Sequence, residues 1–505
     1  MNPITYGALP PPSETVQRLL DLIPDKTGFL WLGVPDRPDL GEPINFYTWS
    51  SSEPWKLTTL YSDLTFPNYK YPEEHVIRVK NPLGQVVEYP YYQGSDGRRY
   101  FFTAHIWYQQ RNYVVSQVKE VAKTDPGGAA RLLYRFAQVY LGYCPVYDMI
   151  YDQYPIEDKG PPYPVPYSGK WARWYYNELL PVANLAEAFA EVKKTDAFEQ
   201  LSREVGEDVA RKIEYDMIRP SVEFLRTYPV ENTNMDASIW IGLVRIGRAL
   251  NEPDYIHETV QRLENFVGSQ FLFDGFWKEV TLSYHKQTID GLKETLNLLR
   301  GWSDPPGYIS QRTNKRFDNL NMEKEFPILK RAMEIPERLA YPDGRYLPIQ
   351  DTWAYDSTST PIPGSILMPA AGIGKLERGT AKYRSQVYLT FEPKYGHSHM
   401  DPLNLVLYSE GQELFPDLGY THTNYRSWST STLAHNTVVV DGRDMSTAGN
   451  GALGGSVDVF APIDDTVQVM QVHQENAYKQ LTEYRREVWF IGLSSSEIGR
   501  ASCRE

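Results

Sequence analysis

The sequence predicts a protein of separate α and β parts: an N-terminal α/α toroid of paired helices followed by an antiparallel β-sandwich. Two observations lead to this fold class. Between residues 103 and 345 apolar residues recur every three or four positions, which is the period of amphipathic helices. Beyond residue 365 apolar and polar residues alternate, which is the period of strands. Because the helical stretches show no strict repeat length, we expect a toroid rather than a solenoid.

The first 102 residues are predicted to form an arm rich in Pro, Tyr and Trp, with short strands. The stretch HVIRVKNPLGQVVEYPYY, residues 75–92, reads as two strands. Its turn is predicted at Asn81–Gly84, where Asn, Pro and Gly occur together.

Residues 103–355 are predicted to be the toroid domain. Six segments carry the helical period: 129–143, 177–194, 207–225, 237–250, 258–271 and 287–302. The Pro- and Ser-rich stretch DSTSTPIPGS at 356–365 marks the boundary to the next domain.

Residues 356–496 are predicted to be the β-sandwich domain, because packed antiparallel sheets suit a run of short alternating segments. The predicted strands are 382–393, 404–415 with a turn at Glu410-Gly411, 435–442, 456–462, 466–473 and 486–493.

The last residues have a different character. Residues 498–505, IGRASCRE, resemble a sequencing adapter read through as protein. We therefore expect 497–505, including Cys503, to be a non-native tail and the sandwich to be C-terminally truncated. The alternative is a genuine polar tail.

Composition narrows the classes of function. With 51 basic and 64 acidic residues the net charge is −13, which argues against a whole-surface grip on nucleic acid or an anionic membrane. The two cysteines provide neither a disulfide framework nor a thiolate zinc site. The 12 Trp, 37 Tyr and 19 Phe suit sugar-binding clefts, but core packing explains them more readily. No apolar run reaches the length of a membrane span and the start lacks the pattern of a secretory signal, so the chain as written is expected in the cytoplasm.

Four of the nine histidines fall within 39 residues: His397, His399, His422 and His435. On a strand, the two-residue spacing of His397 and His399 would turn both rings to one face. Two imidazoles and a carboxylate make a zinc set with an open position, and the set predicted here is His399, Asp417 and His435. The alternative is that these side chains only hydrogen-bond across the sheet.

Further candidates lie upstream. The segment DGFWKEVTLSYH, residues 274–285, brings Tyr284 to a helix entry, where a tyrosine can act as acid or base, although a packed surface tyrosine is the commoner case. Asn232 and Asn234 precede another helix, which indicates a helix cap first and a donor to a substrate carboxylate second.

Three stretches together resemble a known family. GHSHMDPLNLVLYSEGQELFPDLGY at 396–420, followed by LAHNTVVVDG at 433–442, resembles the signature of the heparinase II/III-like polysaccharide lyases, which include heparinases and oligoalginate lyases. DGFWKEVTLSYH and NTNMDASIW (232–240) resemble the family's two upstream segments. By motif the resemblance covers about residues 230–445.

The resemblance implies roles for individual residues. Tyr284 and His397 would form the acid–base pair, and Asn234 would neutralise the uronate carboxylate. A zinc ion that is structural rather than catalytic would be held by His399, Asp417 and His435, with Asp401 supporting the ligands. Substrate contacts would come from the residues at four further positions: Asn232, Glu279, His285 and Tyr425.

The implied activity is β-elimination on an anionic polysaccharide or oligosaccharide, glycosaminoglycan or alginate-like. The proton next to a uronate carboxylate becomes removable when a neutral donor such as Asn stabilises the developing charge. Many members have Asn-His where this chain has Asn234-Met235, which leaves syn or anti elimination and the uronate epimer open. Arg426 and Arg443 could pair with substrate anions, but exposed solvated charge explains them more simply.

Two other classes of function remain. A toroid also hosts glycoside hydrolases, for which Asp274 and Glu279 could serve as the carboxylate pair. A non-catalytic, zinc-stabilised polysaccharide-binding protein would keep the zinc set without needing Tyr284. Relatives often work in the periplasm, at the cell envelope or outside the cell, so that location is expected if the family habit holds. The sequence indicates no oligomeric state.

Overall fold

The chain divides into two compact units. One comprises residues 1–262 and 297–320, and the other 263–296 and 321–505. The computed structural model describes residues 9–28, 34–37, 47–145, 169–380, 383–391, 396–421, 423, 425–446, 454–463, 466–492 and the backbone of 500–504. Helices and antiparallel sheets are both present, as the sequence predicts. The domain limits at 102, 355 and 496 stay predictions.

The first unit begins with a short helix and two small antiparallel sheets, of strand order β1-β2-β3 and β4-β5-β6. The predicted hairpin is confirmed as β4 and β5, and the Asn81 side chain closes its turn by accepting from Leu83 N and Gln85 N. The elements are α1 (Glu14–Asp21), β1 (Tyr47–Thr48), β2 (Leu57–Thr59), β3 (Thr65–Phe66), β4 (His75–Lys80), β5 (Val86–Gln93) and β6 (Arg99–Tyr100).

A series of helices follows, and each of the six segments with helical period is confirmed. The helices are α2 (Phe102–Thr124), α3 (Pro126–Val139), α4 (Leu179–Val192), α5 (Ala197–Val205), α6 (Val209–Ile213), α7 (Arg219–Arg226), α8 (Asp236–Leu250), α9 (Pro253–Gln270) and α10 (Leu282–Leu299). One π-helical turn, Glu214–Ile218, joins α6 to α7. The limits of the two units fall inside α9 and α10.

The core of the first unit centres on α4, which packs against both α2 and α8. Apolar residues on several sides of α4 are buried, including Leu185 and Phe189. Gly242 of α8 permits the close approach, because a Cβ there would lie 2.4 Å from the Cβ of Leu179. Among the helices described in the structure, none is both long enough and apolar enough to span a membrane.

The second unit contains two antiparallel sheets, of order β11-β10-β9-β8-β7 and β12-β13-β14-β15. Its elements after α10 are α11 (Pro327–Arg338), β7 (Ile366–Met368), β8 (Ile373–Arg378), β9 (Ser385–Thr390), β10 (Leu405–Ser409), β11 (Gln412–Phe415), α12 (Arg426–Ser429), β12 (Gly455–Ala461), β13 (Val467–Gln474), β14 (Arg485–Ile491) and β15 (Arg500–Arg504). The turn at Glu410-Gly411 is confirmed, with both residues at positive φ.

The central strand β9 of the five-stranded sheet is buried on both faces, since all six of its residues are buried. One face, with Val387 and Leu389, shares a core with Met470 and Val488 of the four-stranded sheet. The opposite face, with Tyr388, packs in a core that also holds residues of α10, α11 and the segment 339–349. The alternation along β9 is the period of two that the sequence showed.

One predicted strand is wrong. Residues 435–442 contain three consecutive valines but form only an isolated bridge, Val440 to Arg443. Side chains bind this backbone instead: Asn404 accepts from Asn436 N and Arg486 donates to Asn436 O. At the other end, 500–504 pair with β14 as β15, while 497–499 and 505 lie outside the described residues.

Candidate functional site

Tyr284 lies in the first turn of α10, which two hydrogen bonds fix. Thr281 Oγ1 accepts from Tyr284 N at 3.2 Å, as an N-cap side chain does. Thr352 Oγ1 accepts from Leu282 N at 2.9 Å, so a second free amide of the helix end is satisfied by the segment around residue 352. The sequence expectation of Tyr284 at a helix entry is confirmed.

His397 lies face to face with Tyr284. The ring centroids are 4.0 Å apart with 22° between the planes. The residues 396–404 that carry His397 and His399 form a loop before β10, so the prediction that both rings project from one face of a strand is wrong. The two rings nevertheless converge, because both bind the same carboxylate.

That carboxylate belongs to Asp351, whose side chain is completely buried. His397 Nδ1 donates to Asp351 Oδ2 at 2.7 Å, and His399 Nε2 donates to Oδ1 at 3.1 Å. Arg426 adds a bidentate pair, with 2.7 Å from each terminal nitrogen to one of the two oxygens. Burial alone would raise the pKa of the Asp351 carboxyl, but these donors outweigh it and hold the pKa well below its usual range.

The environment keeps the Tyr284 phenol protonated. Burial raises its pKa most, and its hydrogen bond with Tyr420 and the charges of Asp351 and Glu279 raise it further. Because Nδ1 of His397 donates to Asp351, Nε2 is the position left to accept a proton in the neutral ring. The pair therefore offers a proton donor and a proton acceptor side by side.

A second group lies next to this pair. Donor atoms of His399, Asp417 and His435 all fall within 4.8 Å of one another, and the three residues are buried. His399 Nδ1 and His435 Nε2 are 3.2 Å apart, and His435 Nε2 is 3.9 Å from Asp417 Oδ2. The sequence-predicted residues are thus together, and they form a His–Asp–His triad able to hold a metal ion.

The residues present fit a zinc ion. Since His399 Nε2 donates to Asp351 and His435 Nδ1 donates to Ser431 O, each neutral ring turns a lone pair, not a proton, toward the other. Two nitrogens bound to one tetrahedral zinc at about 2.0–2.1 Å would be about 3.3 Å apart, close to the spacing seen. Asp417 is held in the same way, accepting from Asn404 Nδ2 and Gly419 N.

Other predicted residues have different surroundings. His285 is fully buried, accepts from Trp277 N and donates to Ala332 O, so its ring is not accessible to a substrate. Burial lowers its pKa to about 4 and keeps it neutral. Glu279 accepts from Trp277 Nε1, and Tyr425 is 73% exposed just before α12. Asp401 is buried and accepts two hydrogen bonds from Gln350, whose amide oxygen accepts from His399 N.

Asn232 and Asn234 belong to the other compact unit. The N-cap position of α8 is Met235, and next to it Thr233 and Asp236 bind each other, with Asp236 Oδ1 accepting from Thr233 N and Oγ1. A capping role for the two asparagines stays a prediction. The reading of Arg426 as a solvated charge is wrong, because it pairs with buried Asp351. His422 lies outside the described residues.

Sequence reasoning missed three contributors: Asp351, Tyr420 and Gln350. Asp351 lies 46 residues before His397, in a stretch without regular structure, so no local period marks it. The available signal was the concentration of polar and aromatic residues in QDTWAYD (350–356). Tyr420 lay inside the matched motif but carried no assigned role.

The part of the chain that carries His397, His399, Asp417 and His435 matches a known family. Residues 362–498 match the family model "Heparinase II/III-like, C-terminal". The chain carries a heparinase II/III-like C-terminal domain. The resemblance that the His-Ser-His and Ala-His-Asn-Thr motifs indicated is confirmed.

Solved structures resemble the chain over a longer span than the family model does. A heparinase III gene product with methylated lysines aligns at TM-score 0.52 and 14% identity over 80% of this chain and 65% of its own. Heparinase III aligns at 0.51 and 16% over 97% and 71%, and heparan sulfate lyase HepC from Pedobacter heparinus at 0.51 and 14% over 96% and 68%. Our chain thus spans less than two thirds of the first structure's length. At these identities the likeness concerns the fold, and no curated protein matches the chain in sequence.

Proposed function

We propose that the protein is a polysaccharide lyase that cleaves a uronic-acid-containing chain by β-elimination. The observation that carries the proposal is the stacking of Tyr284 on His397, with ring centroids 4.0 Å apart. The His397 ring is held by its hydrogen bond to buried Asp351. The family match of residues 362–498 and the heparinase III and heparan sulfate lyase neighbours support the same class.

In this proposal His397 is the base and Tyr284 the acid. His397 Nε2 removes the proton alpha to the uronate carboxylate, while the Tyr284 phenol protonates the leaving glycosidic oxygen. The raised pKa of Tyr284 supports the acid role, because the phenol stays protonated at neutral pH. Asp351 is a positioning residue: it is buried beneath both histidines and fixes the tautomer of His397.

The carboxylate of the substrate needs neutralising for its alpha proton to be removed. The family resemblance gives this role to Asn234, and we keep it in the proposal together with Asn232 and Tyr425 as further substrate contacts. The proposed substrate is a glycosaminoglycan or alginate-like polymer. The proposed architecture is an α/α toroid joined to a β-sandwich.

For the metal, His399, Asp417 and His435 are the proposed ligands of a zinc ion. When bound, zinc would supply a fixed anchor for the segments that carry these three residues. The reacting groups remain Tyr284 and His397, and Asp351 keeps His399 and His397 in a constant relation because it accepts from both.

Hydrolysis is the weaker candidate. Asp274 would have to act as acid or nucleophile, yet Oδ1 accepts from Phe276 N at 3.3 Å and Oδ2 from Ala371 N at 2.9 Å. Glu279 is bound to the Trp277 indole at 2.8 Å. Both carboxylates thus already accept hydrogen bonds from groups of the protein itself.

The test is a panel assay. Heparan sulfate, chondroitin sulfate, hyaluronan and alginate are incubated with the protein, and the ultraviolet absorbance of the new conjugated double bond is followed. We expect a rise on at least one polymer that Tyr284→Phe and His397→Ala each reduce by about 10²-fold or more. Tyr69→Phe, at a tyrosine that is 98% exposed, is the matched control. New reducing ends without absorbance would mean hydrolysis, and binding without either signal would mean a binding protein.

A further inference from the structure

Three aromatic rings next to the acid–base pair form a continuous surface, which we call the aromatic shelf: Trp353, Tyr355 and Tyr420. Trp353 stacks on Tyr355 with centroids 5.2 Å apart and 23° between planes. The ring centroid of Trp353 also lies 4.4 Å from that of Tyr420, with 49° between the planes. Tyr355 is 72% exposed, so a ligand can reach its ring.

The backbone under the shelf is fixed. Trp353 N donates to Ser283 Oγ at 2.9 Å, and Ser283 Oγ donates to Asp356 at 2.5 Å. Tyr420 N donates to Thr352 O at 3.0 Å, which ties the two segments of the shelf together. A binding partner would therefore meet Trp353 and Tyr420 on backbone that is already held in place.

The shelf leads directly to the proposed reacting groups. The Tyr420 ring centroid is 6.2 Å from that of Tyr284 and 6.4 Å from that of His397. From Tyr420 the rings continue through Trp353 to the exposed face of Tyr355. A chain-like ligand bound at Tyr284 thus has an aromatic surface beside it on which its next units can rest.

The polarity of the shelf indicates what that ligand is. Its two rings on the segment 351–358 are separated by Ala354 alone and flanked by Asp351, Thr352, Asp356, Ser357 and Thr358, so it lacks the unbroken apolar area that a lipid or an amphipathic helix would need. A sugar ring is different: its C–H face packs on an aromatic face while its hydroxyls stay in water.

We propose that the aromatic shelf is a stacking subsite for a sugar ring of the polysaccharide, away from the unit that reacts at Tyr284. This inference rests on the proposed function, since it names a further contact of the same substrate. It assigns Trp353, Tyr355 and Tyr420 to substrate binding, and Tyr355 specifically to units beyond the cleaved bond.

The test compares Tyr355→Ala with the wild type on size-fractionated oligosaccharides of the polymer cleaved in the panel assay. We expect KM to rise about 3- to 10-fold on long oligosaccharides, with kcat within about twofold and little change on the shortest cleaved one. Tyr355→Phe should keep the wild-type KM, and Tyr69→Ala, at an exposed tyrosine of the other unit, should change nothing. Since Tyr355 is largely exposed, a matching melting temperature excludes unfolding as the cause.

The outcomes separate the two proposals. If the wild type eliminates on a polymer and Tyr355→Ala leaves KM unchanged at every length, the subsite is wrong and the lyase proposal stands. An equal rise in KM at all lengths also contradicts a subsite away from the reacting unit. If the wild type forms no unsaturated product from any of the four polymers, both proposals are wrong.

Discussion

At the scale of single residues, Asp351 connects two centres that would otherwise be separate. One of its oxygens binds the imidazole of the proposed base and the other binds a proposed metal ligand, while Arg426 spans both. A fully buried carboxylate is costly unless donors surround it, and here three side chains supply them. These donors keep the Asp351 carboxyl ionised. One of them is the imidazole of His397, which the same hydrogen bond holds in its orientation.

This arrangement predicts the effect of Asp351→Asn. The amide cannot accept from all three donors, so His397 loses its fixed tautomer and orientation. We expect kcat for elimination to fall about 10²-fold or more, with KM within about threefold, because Asp351 is buried and touches no substrate. Steady-state kinetics checks this.

Asp343→Asn, at an exposed partner of Arg345, is the control and should leave both constants unchanged. Breaking the buried pair should also cost about 3–5 kcal/mol of stability, so kinetics are measured well below the melting temperature of the variant. A rise in KM with unchanged kcat would contradict the positioning role.

At the scale of elements, Glu178 fixes the segment that leads into α4. Its Oε2 accepts from Lys170 N, Trp171 N and Ala172 N, while the buried Oε1 has no hydrogen-bond partner among the described residues. Burial raises the pKa of Glu178 to about 7, with the amides and the charges of Arg111 and Lys170 opposing the shift. The neutral acid is therefore the form that the fold prefers at mildly acidic pH.

The consequence is a pH dependence of stability with a defined sign. The folded pKa of Glu178 is about 7, above the ordinary value of 4.5, so between these values the native chain binds more protons than the unfolded chain. Its contribution to the free energy of unfolding is therefore full below about pH 4.5 and is lost as pH rises through about 7, a change of up to about 3 kcal/mol.

Glu178→Gln should remove this slope, matching the wild type near pH 5 and exceeding its stability near pH 8. Urea unfolding at both pH values measures it. Glu199→Gln, at an exposed glutamate of α5, should keep the wild-type slope. A Gln variant less stable than the wild type at pH 8 would show that the ionised carboxylate is the stabilising form.

The proposed metal ligands come from three different segments, so binding an ion would join these segments to one another. His399 precedes β10, Asp417 follows β11 and His435 follows α12. An ion held by all three should stabilise the folded state by about 2.7 kcal/mol at 100 times its dissociation constant. Addition of a chelator should lower the melting temperature, and zinc should restore it.

His435→Ala should abolish the effect of the chelator and the bound zinc measured by atomic emission. Tyr284→Phe should retain both, since Tyr284 is no ligand. A wild-type protein that takes up no zinc, or melts at the same temperature with and without chelator, would contradict the assignment.

At the scale of the whole molecule, the secondary structure that local patterns encode was predictable from the sequence. Contacts between residues far apart in the sequence were not. The helical periods of 177–194 and 237–250 identified α4 and α8, because the residues that each helix buries recur every three or four positions in the sequence. The same approach failed at 435–442, where three valines suggested a strand but the side chains of Asn404 and Arg486 bind the backbone. Asp351 could not be found at all, since its partners lie 46, 48 and 75 residues away.

The meeting of His399, Asp417 and His435 was predictable for a different reason. Histidine is rare in this chain, so a cluster of four within 39 residues stands out without any knowledge of the fold. Which atoms face each other was not predictable, because the tautomers depend on Asp351 and on the carbonyl of Ser431.

Gly419, finally, lies between the proposed metal ligand Asp417 and the shelf residue Tyr420, at φ +62°, where a Cβ would lie 2.4 Å from Thr352 O. In a saturation library selected for stable folding, every codon but glycine should be depleted at 419, with Gly419→Ala destabilised by at least about 2 kcal/mol. Leu418, 44% exposed, should accept polar residues, and equal tolerance at both positions would contradict the expectation. In laboratory evolution of this region, Gly419, which has no side chain, is thus the position that should tolerate substitution least.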